Sequence, residues 1–246
     1  ATKVAQFILL GVGGTRLIEE LSFNPDSYHL NEAHGLSAAF YLYKKFGHNI
    51  DEVRKRLVFT THTPEEAGNE KHDIHLCYKM SYFCGLTLEE TRALTGIHDN
   101  AFNHSLVALR FARLANGVSQ LHGHVSRAMW GKYEGVCRII SITNAQNYQY
   151  WADKQLYRAS AENNEEAFVD RKRYLKSRAF EIVADQSGKI FNPDTFTIVW
   201  ARRLAGYKRV ELITRDRERF NRLLANTRYP VQVIWAGKPY PMDHPA

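Results

Sequence analysis

Cysteine is scarce in this chain: Cys77, Cys84 and Cys137 are the only three in 246 residues. An odd number without a CxxC pair argues against a disulfide framework and for a reducing compartment, so a cytoplasmic protein is expected. Long apolar runs are also missing. No stretch approaches the length of a membrane span, and the amino terminus has no charged region leading into a signal-type apolar core. No membrane partner is expected. Lys and Arg number 33 against 26 Asp and Glu, a formal net charge of +7, but they are scattered among the acids rather than massed in one run. RRM, zinc-finger and basic-zipper signatures are absent, which argues against a nucleic-acid partner. There is no internal repeat and no low-complexity tract. What remains is the composition of a globular protein with a substantial core.

The most informative stretch is Phe196-Thr-Ile-Val-Trp-Ala-Arg-Arg-Leu-Ala-Gly-Tyr-Lys-Arg209. Its apolar run Phe196 to Ala201 is too short for a helix and rich in β-branched and aromatic residues, so it reads as a strand covered on both faces. Arg202, Arg203, Lys208 and Arg209 follow with no carboxylate among them, beside Gly206, where the backbone can turn. After Tyr207 the pattern becomes helical, with Val210, Ile213, Phe220, Leu223 and Leu224 near one face. Val231 to Lys238 opens with a second strand of the same kind. Strand, helix, strand is a βαβ unit, and open α/β sheets bind ligands at the carboxyl ends of their strands. Arg offers a planar fork and Lys a point charge, so the cluster suits phosphate, and a helix amino end near Tyr207 would add its dipole. Taken alone, the same cations would equally serve a solvated loop.

Upstream, a short apolar strand ends four times in His, Asn, Ser or Thr. Tyr28 to His34 is a strand meeting a helix, with Asn31 suited to the N-cap. Leu57 to Pro64 stops at a polar tetrad. Ala115 to Ser119 feeds a helix from His122 to Trp130, and Val136 to Thr143 is capped by Asn144. Ile74 to Leu94 and Phe102 to Arg113 read as helical. Gly11-Val-Gly-Gly14 is not GxGxxG, because Arg16 stands where the third glycine should be; these glycines read as a packing or turn feature. His72, His75 and Cys77 lack a fourth ligand at a familiar spacing, so no metal is expected. A charged helical stretch from Trp151 to Ala184 separates the polar strand ends from the final βαβ unit. The expected domains are therefore 1–150 and 151–246.

The segments His29-Leu-Asn-Glu-Ala-His34, Phe59-Thr-Thr-His-Thr-Pro64, Asn116-Gly-Val-Ser-Gln-Leu-His122, Thr143-Asn144, Ala201 to Arg209 and Ala236-Gly-Lys-Pro239 occur in the order found in α-glucan phosphorylases. Over nearly its whole length the chain resembles the shorter bacterial and archaeal members more than the animal glycogen phosphorylases. The resemblance implies an α/β, Rossmann-like glycosyltransferase-B fold, present in part: the carboxyl-terminal part of the first domain, then a connecting helix and the first βαβ unit of the second. It implies a glycosyltransferase, allosteric in some members, that releases glucose 1-phosphate from α-1,4-glucan ends using inorganic phosphate and pyridoxal 5′-phosphate. A homodimer is implied for the full-length enzyme.

By the same resemblance, Arg203 and Lys208 are the phosphate-contacting pair of the catalytic site, and Arg202, Lys208 and Lys238 lie toward the cofactor. The backbone carbonyl of His62 faces the glucose ring near the developing charge, Asn144 bonds a sugar hydroxyl, and His34 belongs to the wall of the substrate site. Ala33 and Ala145 stand where the family usually has Gly, which places a Cβ where φ > 0 would be costly. Glu65-Glu66 adds negative charge after the Thr-His-Thr-Pro run, and Gln146-Asn147 departs from the usual sequence after the asparagine. The cofactor lysine and the family's glycine-rich loop are not in this sequence, so a fragment of a longer enzyme is expected, with the cofactor attached outside it and the isolated chain inactive. A retaining nucleotide-sugar transferase of glycogen-synthase type, or a non-catalytic glucan- or phosphate-binding fragment, would use the same cations.

Overall fold

The four polar strand ends belong to one sheet. In the computed structural model, which describes residues 1–204 and 206–238, strands β1 (Tyr28–Asn31), β2 (Leu57–Thr61), β5 (Leu114–Gly117) and β6 (Arg138–Ser141) pair in parallel in the order β1-β2-β5-β6. Asn31 stands beside Thr60, Thr61 beside Gly117, and Gly117 beside Ser141. The four carboxyl ends thus share one edge. Ala205 in the cation loop and Pro239 in the last motif lie outside the described residues.

The chain divides into two compact units, Ala1–Ala145 and Gln146–Ala246. The first has a deep core in which the Phe40 ring lies 5.1 Å from Phe83 and 5.5 Å from Phe111. Phe59 on β2, Tyr82 and Phe102 complete this aromatic centre, all with essentially no exposed surface. Helix α1 (Thr2–Ile8) runs through a π-helical stretch, Leu9–Gly13, into α2 (Gly14–Glu20). The stretch passes close to the start of α3 (Ser37–Lys45): a Cβ on Gly11 would meet Ser37 Oγ at 2.2 Å and the backbone N of Ala38 at 2.7 Å. The glycine is therefore a packing feature, as its sequence context suggested.

Local structure departs from expectation in several places. Asn31 ends β1 instead of capping a helix; α3 begins after a 3-10 turn, Ala33–Gly35, and its first residue follows Leu36 without a side-chain cap. Helix α4 (Ile50–Arg56) is instead capped by Asn49. The span expected as one helix from Ile74 is two, α5 (Ile74–Lys79) and α6 (Leu88–Thr95). Between them Ser81, Cys84 and Gly85 take positive φ, and a capping box of Thr87 and Glu90 starts the second helix. Phe102 lies in a strand: β3 (Lys71–Asp73) and β4 (Ala101–Asn103) form an antiparallel pair, after which Asn103 caps α7 (His104–Phe111). Helix α8 (Gln120–Trp130), capped by Ser119, packs beside β5 and β6. Three residues per strand are too few for an alternation signal, which is why the pair is not legible in sequence.

The second unit contains α9 (Tyr148–Trp151), α10 (Lys154–Ala161), α11 (Glu165–Ser187), β7 (Phe196–Ala201), α12 (Arg217–Leu224) and β8 (Val231–Ala236). β7 and β8 pair in parallel over all six residues. Contrary to expectation, β7 is not covered on both faces: Phe196 is 68% and Val199 57% exposed. A two-stranded sheet with one short helix cannot enclose the strand as a wider doubly covered sheet would. The helix expected from Tyr207 begins at Arg217, where Asp216 accepts from Arg219 N–H, so no long helix directs its amino end at the cations. Two 3-10 turns, Gly206–Lys208 and Leu212–Thr214, fill the interval.

Candidate functional site

At the shared carboxyl edge of the four-stranded sheet, the chain leaves β1 through Glu32, whose φ of 59° and ψ of 173° fall in a region that is essentially glycine-only. Its N–H still donates to Thr60 O at 2.9 Å, so the strained residue remains within the ladder. Its carboxylate turns to the end of β2, where Oε1 accepts the backbone N–H of His62 and, at 3.2 Å, the hydroxyl of Thr63. The His62 ring is held as well. Asn31 Oδ1 can only accept, so His62 Nε2–H donates to it at 2.8 Å.

Other polar groups continue along the edge. Thr60 Oγ1 donates to Asn116 Oδ1 at 2.7 Å, leaving its lone pair for His29 Nε2–H at 2.7 Å. This is a cross-strand ladder on β1, β2 and β5. His122 Nδ1 accepts from Val118 N–H at 3.1 Å. Asn144 lies past the end of β6, its N–H donating to Val118 O at 3.1 Å while its side chain is exposed. His62 and Asn144 therefore both belong to this edge, on loops tied to neighbouring strands. His34 is set apart: it lies in the 3-10 turn after β1, half-buried, its ring 5.0 Å from that of Phe7 on α1.

Ala33, Ala145 and the Glu65-Glu66 pair have small local effects. Neither Ala33 nor Ala145 has positive φ, so neither Cβ is strained; the strain falls on Glu32 instead. Ala33 is buried in the 3-10 turn. The Glu66 carboxylate is engaged by Lys132 at 3.2 Å and the Tyr133 hydroxyl at 3.1 Å, with Lys71 at 3.8 Å, and these partners hold its pKa below the usual range. Its charge is offset at the end of α8. Glu65 is exposed.

In the second unit the cations gather where β7 and β8 end together. Arg202 N–H donates to Ala236 O at 3.0 Å, and Leu204 N–H to Lys238 O at 3.0 Å, so the ladder continues past both strands. This places Arg202, Arg203 and Lys238 on one sheet edge. Gly237 permits it, since a Cβ there would meet Arg202 O at 2.1 Å. Lys208 closes the 3-10 turn that follows, and Arg209 has a φ of 52°. The next acid, Glu211, bonds Arg215 at 3.1 Å.

A third constellation joins His72 to His104 and Tyr82, two residues that no sequence motif marks. His104 is buried at the start of α7, with its Nε2 2.9 Å from His72 Nδ1 and its Nδ1 3.0 Å from the hydroxyl of buried Tyr82. Desolvation, with His72, His34 and Lys3 adding to it, depresses His104 to a pKa of about 3 and also lowers His72. The sequence signals were weak: a histidine heading a mostly apolar helix, and His72 set aside as lacking a metal-site spacing. Among the described residues no group of three His, Cys, Asp or Glu is placed to hold a metal ion. No described helix is long and apolar enough to cross a membrane.

No family model matches the chain. It is 42% identical, over 98% of its length, to an uncharacterized protein of Methanocaldococcus jannaschii, of which it spans 45%. It is 29% identical over the same share to a glycogen phosphorylase of Aquifex aeolicus, spanning 43% of it, and 30% identical to a maltodextrin phosphorylase of Thermococcus litoralis, spanning 34%. The chain thus covers less than half the length of the curated relatives it matches. Along nearly all of its own length it is a sequence relative of glycogen and maltodextrin phosphorylases, and its α/β architecture with parallel sheets agrees with a partial glycosyltransferase-B fold.

Proposed function

We propose that this relative of the glycogen and maltodextrin phosphorylases contributes the sugar-facing loops and the phosphate-binding edge of an α-1,4-glucan phosphorylase. The observation that carries the reading is the joint carboxyl end of β7 and β8, where Arg202, Arg203 and Lys238 are set along one continued ladder. Fixed cations with few acids among them suit a site where two phosphate groups must approach each other, because their repulsion has to be offset.

The donor set fits a phosphate ester. Arg202, Lys208 and Lys238 would hold the phosphate of pyridoxal 5′-phosphate, attached through a residue outside this chain; when bound, that phosphate supplies an acid–base partner for inorganic phosphate. Arg203 and Lys208 hold the inorganic phosphate. Its proton passes to the departing glycosidic oxygen as the bond from anomeric carbon to that oxygen breaks, and a phosphate oxygen then bonds the same carbon with retention. The His62 carbonyl faces the positive charge that develops on the ring, Asn144 bonds a sugar hydroxyl, and His34 supports the wall behind them. The full-length enzyme acts as a cytoplasmic homodimer on glucan ends.

The test is release of glucose 1-phosphate from maltodextrin by the full-length natural protein, with and without added pyridoxal 5′-phosphate. Phosphate-dependent release that requires the cofactor supports the reading. Transfer from a nucleotide sugar instead, or glucan binding without phosphorolysis in the cofactor-loaded protein, overturns it.

A further inference from the structure

Among the described residues Glu32 is the non-glycine residue with positive φ at the carboxyl edge of the main sheet, and its strain is tied to its contacts. Ordinary extended backbone after Asn31 would continue the strand and project the next side chain along the pleat. The φ of 59° instead turns the chain into the 3-10 turn while the Glu32 N–H stays bonded to Thr60 O. The carboxylate then takes two donors from the following strand end, the His62 N–H and the Thr63 hydroxyl. Asn31, the preceding residue, takes the His62 ring. Asn31, the last residue of β1, and Glu32, just past it, thus hold the residue that follows β2 at its ring and at its peptide. A non-glycine residue in this conformation persists only where the surroundings over-determine it, and such residues gather where a geometry has to be kept.

We propose that Glu32 is a positioning residue whose strained backbone and carboxylate fix the direction of the His62 peptide, and with it the carbonyl presented to the sugar. The inference rests on the phosphorylase reading for the role of that carbonyl, but the clamp itself is testable without activity.

The first experiment uses this chain labelled with ¹⁵N-histidine. The His62 amide proton, donating to a carboxylate, resonates downfield; it moves upfield in Glu32→Ala, and in Glu32→Gln, which keeps an acceptor oxygen, it moves only part of the way. An unmoved His62 amide in Glu32→Ala overturns the clamp. Next, Glu32→Gly and Glu32→Ala are compared in urea. Both lose the carboxylate, but only Gly escapes the left-handed strain, so Gly unfolds at the higher urea concentration, the reverse of the usual order in regular structure. The usual order, with Ala the more stable, removes the strain from the argument and overturns it.

In the full-length protein, Glu32→Ala and Glu32→Gly each lower kcat for phosphorolysis roughly ten- to a hundredfold, with little change in KM for maltodextrin, and Glu32→Gln restores most of the rate. Equal kcat in wild type and Glu32→Ala overturns the positioning role. If wild type shows no phosphorolysis at all, the functional reading and the role assigned to the carbonyl fall together, while the amide and urea results still decide whether Glu32 clamps His62.

Discussion

The Nε2 of His104 lies 2.9 Å from the Nδ1 of His72, and with Tyr82 on the other ring nitrogen these groups form a chain of donors and acceptors that runs from the buried Tyr82 and His104 to the half-buried His72. Tyr82 O–H donates to His104 Nδ1, and His104 Nε2–H donates to His72 Nδ1. His104 cannot take a second proton without leaving a charge in the core, while His72 is half-buried.

The first expectation is acid sensitivity. Unfolded histidine titrates at about 6.5, whereas folded His104 is pushed down to about 3 and His72 is lowered too. Between those limits the unfolded state binds more protons, so stability is full above the unfolded value and falls as pH drops through the window. The slope approaches about 1.4 kcal/mol per pH unit for each proton taken up on unfolding. Urea midpoints followed from neutral to mildly acid pH measure it. His104→Gln, which cannot titrate, flattens the curve; an identical slope in wild type and variant would show that this buried pair is not the cause.

A second expectation concerns the thiols. Burial pushes Cys77 to about 12 and Cys84 and Cys137 to about 11, and all three are free. The native chain therefore reacts slowly with a disulfide reagent at neutral pH, and all three react quickly in denaturant. Rapid modification of even one thiol in the folded protein contradicts these environments.

The phosphate role proposed for Arg203 predicts a selective defect. A hydrogen bond to a charged group contributes about 1.5–3 kcal/mol, so on the proposed reading Arg203→Ala in the full-length protein raises KM for phosphate roughly ten- to a hundredfold with the fold intact. Circular dichroism controls for folding. An unchanged phosphate dependence removes Arg203 from the site.

Gly237 tests the scaffold beneath the same cations. A Cβ there would sit 2.1 Å from Arg202 O, a backbone atom that cannot swing aside. Gly237→Ala should destabilise the second unit by about 1–3 kcal/mol, the usual range for overpacking, and weaken phosphate binding along with it. A normal urea midpoint with normal phosphate affinity would mean that the ladder beyond β8 is not needed to place Arg202.

Much of the fold was legible because the strands carry their own signal. Leu57 to Thr61 and Phe196 to Ala201 are short, apolar and β-branched, and each stops at polar residues, so their existence and the α/β class follow from composition and period alone. Elements with weak local signals were lost: β3 and β4 are three residues each, and the left-handed turn separating α5 from α6 depends on Ser81 and Cys84 adopting positive φ, which residue type does not announce. Asn31 shows the same limit at the site. Its preference for an N-cap is genuine, but the strand retained it and its amide oxygen went to His62.

Which residue types end the strands, and where the cations run without acids, can be read from the chain alone, because those are properties of adjacent residues. Only the tertiary structure decided that the four polar ends share one edge, that Glu32 bears the strain expected at Ala33, and that His104 is buried against His72 and Tyr82. Strand order, burial and φ are set by contacts between segments far apart in the chain, such as Glu32 with His62 and Thr60 with Asn116, and no local pattern encodes a partner thirty or more residues away.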